Sequence, residues 1–241
     1  HGQPYDEEYY RQTYGHELAR RLPQLTREQY WAHWLKRRIG RGPDAGPILD
    51  LGSGLGWLAL SAREQGLAPI SLDISEFSAQ RLHGTHSLPV IVGSATRVPV
   101  RPASVAAVVA LDVLEHVDDP RVALGEIRGA LRPHGLIVIS VPNTDGYGAR
   151  RKRGTGSWFG DRDATHTSLW PPDEWVRVLV DSGYTVERRG SDFLWDVPYP
   201  VRLPDRVQRA ILLPLHRVLS RTIGALHWGA GENLVLVGRA S

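Results

Sequence analysis

Cysteine and methionine are both absent from the 241 residues. The first absence removes disulfides, thiolate nucleophiles, cysteine-held zinc and iron–sulfur clusters together. Lysine is scarce as well, present only at Lys36 and Lys152, so nearly all of the 29 basic residues are arginines. An excess of one charge is also missing. The 26 acidic residues leave a formal net charge of +3, far from the dense positive field of a polyanion binder, and no nucleic-acid partner is expected. No apolar run approaches the about 20 residues that span a bilayer, and the opening HGQPYDEEYY is too acidic and polar for a signal peptide. These features predict a cytoplasmic protein without a membrane partner. What remains, 41% hydrophobic and 23% charged residues, is the composition of an ordinary globule. A chain of this size buries roughly 70% of its unfolded surface without staples.

From Ile48 onward, short apolar runs alternate with helical patterns, the rhythm of βαβ units and a mainly parallel sheet. Strands are predicted at Ile48 to Leu51, Pro69 to Asp73, Val90 to Val92, Val105 to Leu111, Leu136 to Val141, Thr185 to Arg189 and Leu234 to Val237. Helices are predicted at Trp57 to Gln65, Glu76 to His83, Pro120 to Leu131 and Pro172 to Ser182. Gly66 and Gly183 sit where C-terminal caps belong. The fold class is therefore a doubly wound α/β sheet of seven strands. Residues 1–42 form a polar, aromatic, helical segment expected to act as a lid on the 43–241 core, with Thr26 and Gln29 spaced as a capping box. Insertions are expected at 143–170 and 196–231. The second carries a helix with Val207, Ile211, Leu215 and Leu219 on one face, interrupted by Pro214, that is expected to pack on the core or on a second subunit. A monomer or a homodimer satisfies this pattern. Aromatic residues are concentrated in these flanking segments; between residues 41 and 146 only Trp57 and Phe77 occur. Large rings placed outside the core elements suit either the walls of a flat, apolar pocket or the docking of these segments onto the sheet.

The sharpest local signal is Asp50-Leu51-Gly52-Ser53-Gly54-Leu55-Gly56, where an apolar strand runs into a glycine turn that opens a helix. Gly52 and Gly54 let backbone pass beneath a ligand with no Cβ in the way, and Gly56 lets the new helix pack against the strand. A dinucleotide fingerprint would need its third glycine at position 57, which is Trp57. About twenty residues on, the second strand ends at Asp73, where a carboxylate accepts hydrogen bonds from a ribose diol.

The turn Asp50 to Gly56, the acid at Asp73, GSATRVP at 93–99, LDVLEHV at 111–117 and LRPHGLIVISVPN at 131–143 together resemble class I S-adenosylmethionine-dependent methyltransferases of the small-molecule, natural-product and ubiquinone-biosynthesis-like branch. The resemblance spans about residues 47 to 190. It implies a sheet whose last strand inserts antiparallel, with S-adenosyl-L-methionine as cofactor and S-adenosylhomocysteine as product. By the same resemblance Gly52, Ser53 and Gly54 lie under the amino acid portion, Asp50 faces its ammonium, Asp73 holds the ribose hydroxyls and Ile74 packs on adenine. Ser94 and Ala95 border the adenine, while Leu111, Asp112 and Val113 lie beside the sulfonium. Tyr9 and Tyr14 reach toward the methionine carboxylate. Two positions depart from the family pattern: Ser94, where an acid is common, and His134, where a glycine is common.

Methyl transfer to a hydroxyl of pKa near ~10 calls for removal of its proton, and histidine suits that task near neutral pH. His116, after the fourth strand, and His166, after the fifth, are the candidate catalytic residues. No metal is expected, since histidines and carboxylates nowhere share the spacing of one helix face. The Arg150-Arg151-Lys152-Arg153 run reads as a solvated loop, with a clamp for an acidic partner as its sharper alternative. The expected activity is methyl transfer, oxygen favoured over nitrogen or carbon, to a small aromatic or polyketide-like metabolite. Alternatives are cyclisation without transfer, a non-catalytic cofactor-binding subunit, and a nicotinamide-dependent oxidoreductase disfavoured by Trp57.

Overall fold

The computed structural model describes residues 5–18, 27–40, 45–227 and 229–241, with backbone alone for residues 13–18. Its elements begin with α1 (Glu7–Leu18) and α2 (Arg27–Ile39), followed by β1 (Ile48–Leu51), α3 (Trp57–Glu64), β2 (Pro69–Asp73), α4 (Glu76–His86) and β3 (Val90–Val92). Next come β4 (Val105–Leu111), α5 (Pro120–Ala130), β5 (Leu131–Pro142), α6 (Tyr147–Lys152) and α7 (Phe159–Arg162). The chain ends with α8 (Pro172–Asp181), β6 (Tyr184–Ser191), α9 (Asp205–Thr222) and β7 (Asn233–Ala240).

All seven strands join one sheet in the order β3-β2-β1-β4-β5-β7-β6. The pairs β1 with β2, β1 with β4, β2 with β3 and β4 with β5 are parallel, while β7 runs antiparallel to both β5 and β6. Strand order reverses between β1 and β4, and the crevice outside their C-terminal ends is where such sheets bind ligands.

Side-chain alternation supplies both core layers. Leu49, Val108, Ala110, Ile137, Ile139, Leu234 and Leu236 face α5 and α8 through Leu124, Ile127, Trp175 and Leu179. Their neighbours one residue along, Ile48, Ala107, Val109, Leu136, Val138, Val235 and Val237, face α2 and α3 through Trp31, Leu35, Leu58 and Ala62. Because both faces are covered, the strands read as continuous apolar runs rather than alternating ones.

Several expectations are corrected in detail. β5 starts at Leu131, five residues earlier than expected, and carries the irregularity that shifts its pairing with β4 between Val105 and Ala107. His134 takes the left-handed conformation, φ 61°, within this stretch, which explains why a glycine suits the position. Within the expected lid, α2 is part of the core, with Trp31, Ala32 and Leu35 buried, whereas Tyr5 and α1 lie beside the cavity described below. The capping residue expected at Thr26 falls outside the described residues.

Pro214 does not interrupt α9, which runs unbroken through it. The helix lies at the surface, so the carbonyl that loses its N–H partner there faces water. Its apolar face is only partly packed within the chain: Ile211 and Leu215 are exposed, and the buried side chains are Gln208 and Ser220. Gln208 explains the docking. Its Oε1 accepts from Tyr199 N–H at 2.7 Å, and its Nε2 donates to the carbonyls of Tyr199 and Leu203. The basic run is only partly solvated, because Lys152 is buried against Asp196 at 2.5 Å.

Leu236 lies on β7, between β5 and β6, with no exposed surface. Leu236→Ala is expected to lower stability by about 2–5 kcal/mol, read as a shifted urea midpoint with an unchanged slope.

Candidate active site

The crevice at the reversal of strand order holds two cavities, of about 490 and 340 Å³, that share Gly52, Gly54, Leu111, Asp112 and Arg27 in their walls. Three glycines shape the turn, all with positive φ: Gly52 66°, Gly54 50° and Gly56 76°. A Cβ on Gly52 would meet Val113 at 2.3 Å, and one on Gly56 would meet Leu82 of α4 at the same distance. Gly56 thus admits α4 rather than the strand expected from sequence. A Cβ on Gly54 would have no neighbour nearer than 4.0 Å, because it would point into the crevice.

Asp73 ties this turn to the end of β2. Its Oδ2 accepts the Gly54 amide at 2.7 Å and its Oδ1 accepts the Ser75 amide at 2.8 Å. Each oxygen keeps a second lone-pair direction for a ligand hydroxyl. Burial pushes the Asp73 carboxyl up from its ordinary value, against the pull of those backbone donors. Asp50, one strand over, accepts the Ala59 amide in the first turn of α3 at 3.1 Å, and burial raises it to about 7.

The remaining residues singled out from sequence fall around these cavities. Tyr9, Ile74, Ser94, Ala95, Val113 and His116 border the larger one, while Asp50 and Ser53 border the smaller. Ile74 is half exposed, presenting an apolar face to the crevice. The Ser94 hydroxyl pairs with Thr96 Oγ1 at 2.8 Å. Tyr14 lies in α1, and its side chain is outside the described part. His166 borders neither cavity but lies against His116, with ring centroids 4.7 Å apart.

Sequence reasoning missed Arg27. Its guanidinium meets Asp112 Oδ2 at 2.7 Å and Glu28 at 3.0 Å, and those two carboxylates hold its charge in place although burial opposes it. No local motif could have found it, because its partner lies across the sheet at the end of β4. Asp192, Trp195, His216 and Asn233, from the β6 end, the second insertion and β7, were missed for the same reason; they close the smaller cavity. Burial raises Asp192 to about 8 and lowers His216 to about 4.

A third feature links the two histidines. Thr165 donates its hydroxyl to Asp163 Oδ1 at 2.5 Å and meets His116 Nδ1 at 2.8 Å, while His166 Nδ1 meets the Gly160 carbonyl at 2.8 Å. Burial, with help from the neighbouring His166, holds His116 below its ordinary value, so the ring is neutral at pH 7. Burial opposes the ionisation of Asp163, but its Thr165 donors and the two imidazoles outweigh that and keep it ionised. Asp163 therefore supports His116 through Thr165.

Asp50, Asp192 and Glu232 have folded-state values of about 7, 8 and 7, well above ordinary carboxylates. Over that interval the folded chain binds more protons than the unfolded one, so their contribution is full at low pH and is lost as pH rises through the raised values. His216 acts oppositely, but only below its ordinary 6.5. Thermal stability should therefore fall between about pH 6.5 and about pH 8, and Asp192→Asn should flatten the fall.

Three comparisons match this geometry. A ubiquinone biosynthesis O-methyltransferase of Idiomarina loihiensis is 33% identical over 132 residues, 52% of this chain and 51% of that protein. The chain spans about half the length of the curated relatives it matches. Among solved structures, a SAM-dependent methyltransferase from Archaeoglobus fulgidus superposes with a TM-score of 0.59 at 18% identity, covering 88% of this chain and 94% of that one. The 1,6-didemethyltoxoflavin-N1-methyltransferase of Burkholderia thailandensis, solved with 1,6-didemethyltoxoflavin and S-adenosylhomocysteine, gives 0.54 at 16% identity, with 89% and 78% covered. Both structures share the fold. The Archaeoglobus fulgidus protein is SAM-dependent and the Burkholderia thailandensis one holds S-adenosylhomocysteine; S-adenosyl-L-methionine is the cofactor, and the glycine turn facing Asp73 fits it, since Gly54 leaves room for a ligand and the acid keeps acceptor capacity for a diol. The model of the methyltransferase domain family matches residues 24–188, and the chain belongs to that family.

Proposed function

We propose that the chain transfers a methyl group from S-adenosyl-L-methionine to an oxygen of a small aromatic or polyketide-like molecule. The observation that carries this reading is the crevice itself: a glycine turn without Cβ atoms, tied by Gly54 N–H to the carboxylate of Asp73, at the reversal of strand order. When bound, the cofactor supplies an electrophilic methyl group on a positively charged sulfur.

The chain's residues divide the work between the two cavities. Asp73 takes the ribose hydroxyls and Ile74 with Ala95 takes the adenine face in the larger cavity. Arg27 takes the amino acid carboxylate, and Asp50 its ammonium, in the smaller one. Asp112, beside Arg27 and held by the Ser140 hydroxyl at 3.1 Å, provides negative charge next to the cationic sulfur. Tyr5, Tyr9 and Tyr10 supply flat apolar walls and exclude water from the reacting centre. His116, which borders the larger cavity, activates the acceptor hydroxyl with His166 packed against it, each ring tethered at Nδ1. The Burkholderia thailandensis enzyme, solved with 1,6-didemethyltoxoflavin, is in keeping with a small-molecule acceptor.

Titration calorimetry tests the cofactor roles. Asp73→Ala is expected to weaken S-adenosylhomocysteine binding by about tenfold to a hundredfold, the worth of hydrogen bonds to a charged acceptor. Arg27→Ala is expected to weaken S-adenosylhomocysteine similarly while leaving 5′-methylthioadenosine, which lacks the amino acid carboxylate, unchanged. Equal losses for both ligands would contradict the Arg27 assignment.

Product mass tests the reaction: an acceptor that gains one CH2 unit establishes transfer, and a product of unchanged mass establishes cyclisation instead. With cofactor still bound, His116→Ala should lower kcat by about 10²–10⁴-fold. Wild-type turnover in both His116→Ala and His166→Ala would show that the site works by proximity alone.

A further inference from the structure

One buried group is left unexplained by cofactor binding. Glu115 sits in the 3-10 turn Leu114–His116 after β4, is 1% exposed, and neither carboxylate oxygen has a hydrogen-bond partner among the described residues. Ionised, it is a charge without a donor; protonated, its O–H would lack an acceptor. The Glu115 backbone carbonyl accepts the amides of Thr167 at 2.8 Å and Ser168 at 2.9 Å, which laces the 165–168 segment onto this turn. That lacing brings His166 beside His116. One ring nitrogen of each histidine and one Glu115 carboxylate oxygen lie within 4.8 Å of one another.

The surrounding hydrogen bonds fix both tautomers. A carbonyl only accepts, so His166 donates Nδ1–H to Gly160 and keeps a lone pair on Nε2. Thr165 spends its single hydroxyl proton on Asp163, so its oxygen accepts Nδ1–H from His116, whose Nε2 is likewise left basic. Imidazoles held at one nitrogen by a carbonyl or by a carboxylate-backed partner, with the other nitrogen free, are prepared as metal ligands.

We propose that Glu115, His116 and His166 bind a divalent first-row transition-metal ion, and that its open positions toward the larger cavity take the oxygen of the methyl acceptor. Two imidazole nitrogens and one carboxylate oxygen suit Zn2+, Mn2+ or Co2+. Bonds of about 2.0–2.2 Å span at most about 4.4 Å between opposite ligands, so a small side-chain rotation closes the set around the ion. Three protein ligands leave room for substrate, and His116 borders the cavity in which an acceptor would lie. On coordination the acceptor hydroxyl gives its proton to solvent and its oxygen becomes a metal-bound alkoxide or phenolate, with no change of oxidation state. The expectation that no metal binds rested on helical spacing, and these ligands come from two loops fifty residues apart. The acceptor role of the ion rests on the methyltransferase reading and specifies how the two histidines activate the hydroxyl.

The test uses the full chain, cleared with a chelator and saturated with S-adenosylhomocysteine, titrated calorimetrically with Zn2+ and followed in parallel by the visible spectrum of added Co2+. One saturable equivalent is expected, with at least tenfold weaker binding in His166→Ala and in Glu115→Gln, and an intermediate loss in Thr165→Val, which removes only the tether of His116. S-adenosylhomocysteine should still bind to all three variants. His166→Ala lies in a half-buried loop and keeps the test valid should Glu115→Gln fail to fold. His83→Ala, in α4, should bind Zn2+ as wild type does. No saturable Zn2+ heat in the wild type, or equal affinity in the wild type and a His116→Ala/His166→Ala double variant, would overturn the site. Zn2+ binding intact with no heat from S-adenosylhomocysteine would overturn the acceptor role and the methyltransferase reading, but not the ion site.

Discussion

The hydrogen bond from the Gly54 amide to the Asp73 carboxylate is the constraint on which the site depends. It fixes the loop after β1 against the end of β2, so that the bare Cα of Gly54 faces open space while Gly52 leaves room for the Val113 side chain. Gly52 and Gly54 sit in the left-handed region, where another residue would be strained whatever room it found. Asp50 anchors the same loop from beneath through α3, and Ser78 closes it from the side by donating its hydroxyl to the Gly54 carbonyl. The sheet then determines where everything else falls. With β4 next to β1, the segment 111–116 lines the opposite wall, and Asp112 comes within reach of Arg27.

The charges around the crevice are unbalanced in one direction. Asp50, Asp73, Asp112, Glu115 and Asp192 gather near Arg27, and burial pushes four of them upward. Such a site holds protons that a bound cation displaces, so it is suited to a ligand with positive charge. A sulfonium with an ammonium group satisfies the part near Asp112 and Asp50, and a metal ion satisfies Glu115. Pyrophosphate would meet repulsion along the same wall, an electrostatic reason, independent of Trp57, that a dinucleotide does not belong there.

Sheet and glycine turn were legible in the sequence because each is a local signal: apolar runs of the right length, glycines at a turn, an acid at a strand end. The elements from β1 to β4 have the bounds expected of them, apart from the ends of α3 and α4, since residue type there agrees with tertiary burial. Where residues act across the sheet, sequence spacing carried no information. Arg27, at the start of α2, and Asp112, just after β4, are separated by two further helices and four strands. His116 and His166 are each recognisable as candidates, but that Glu115 joins them follows only from the lacing of Thr167 and Ser168 to its carbonyl. Pro214 misled for the opposite reason, since a helix at the surface tolerates a lost hydrogen bond that an interior helix does not. The exposed stripe of Ile211, Leu215 and Val218 shows why an amphipathic pattern identifies a helix without saying what covers it.

The central claim is that the bare turn and its carboxylate cradle an adenosyl compound. A crystal structure of the chain grown with S-adenosylhomocysteine tests this most directly. The account predicts the ribose hydroxyls within hydrogen-bond reach of both Asp73 oxygens, adenine against Ile74 and Ala95, and the amino acid end against Arg27. Density for the ligand elsewhere, with the crevice between Gly54 and Asp73 left to water, would contradict it.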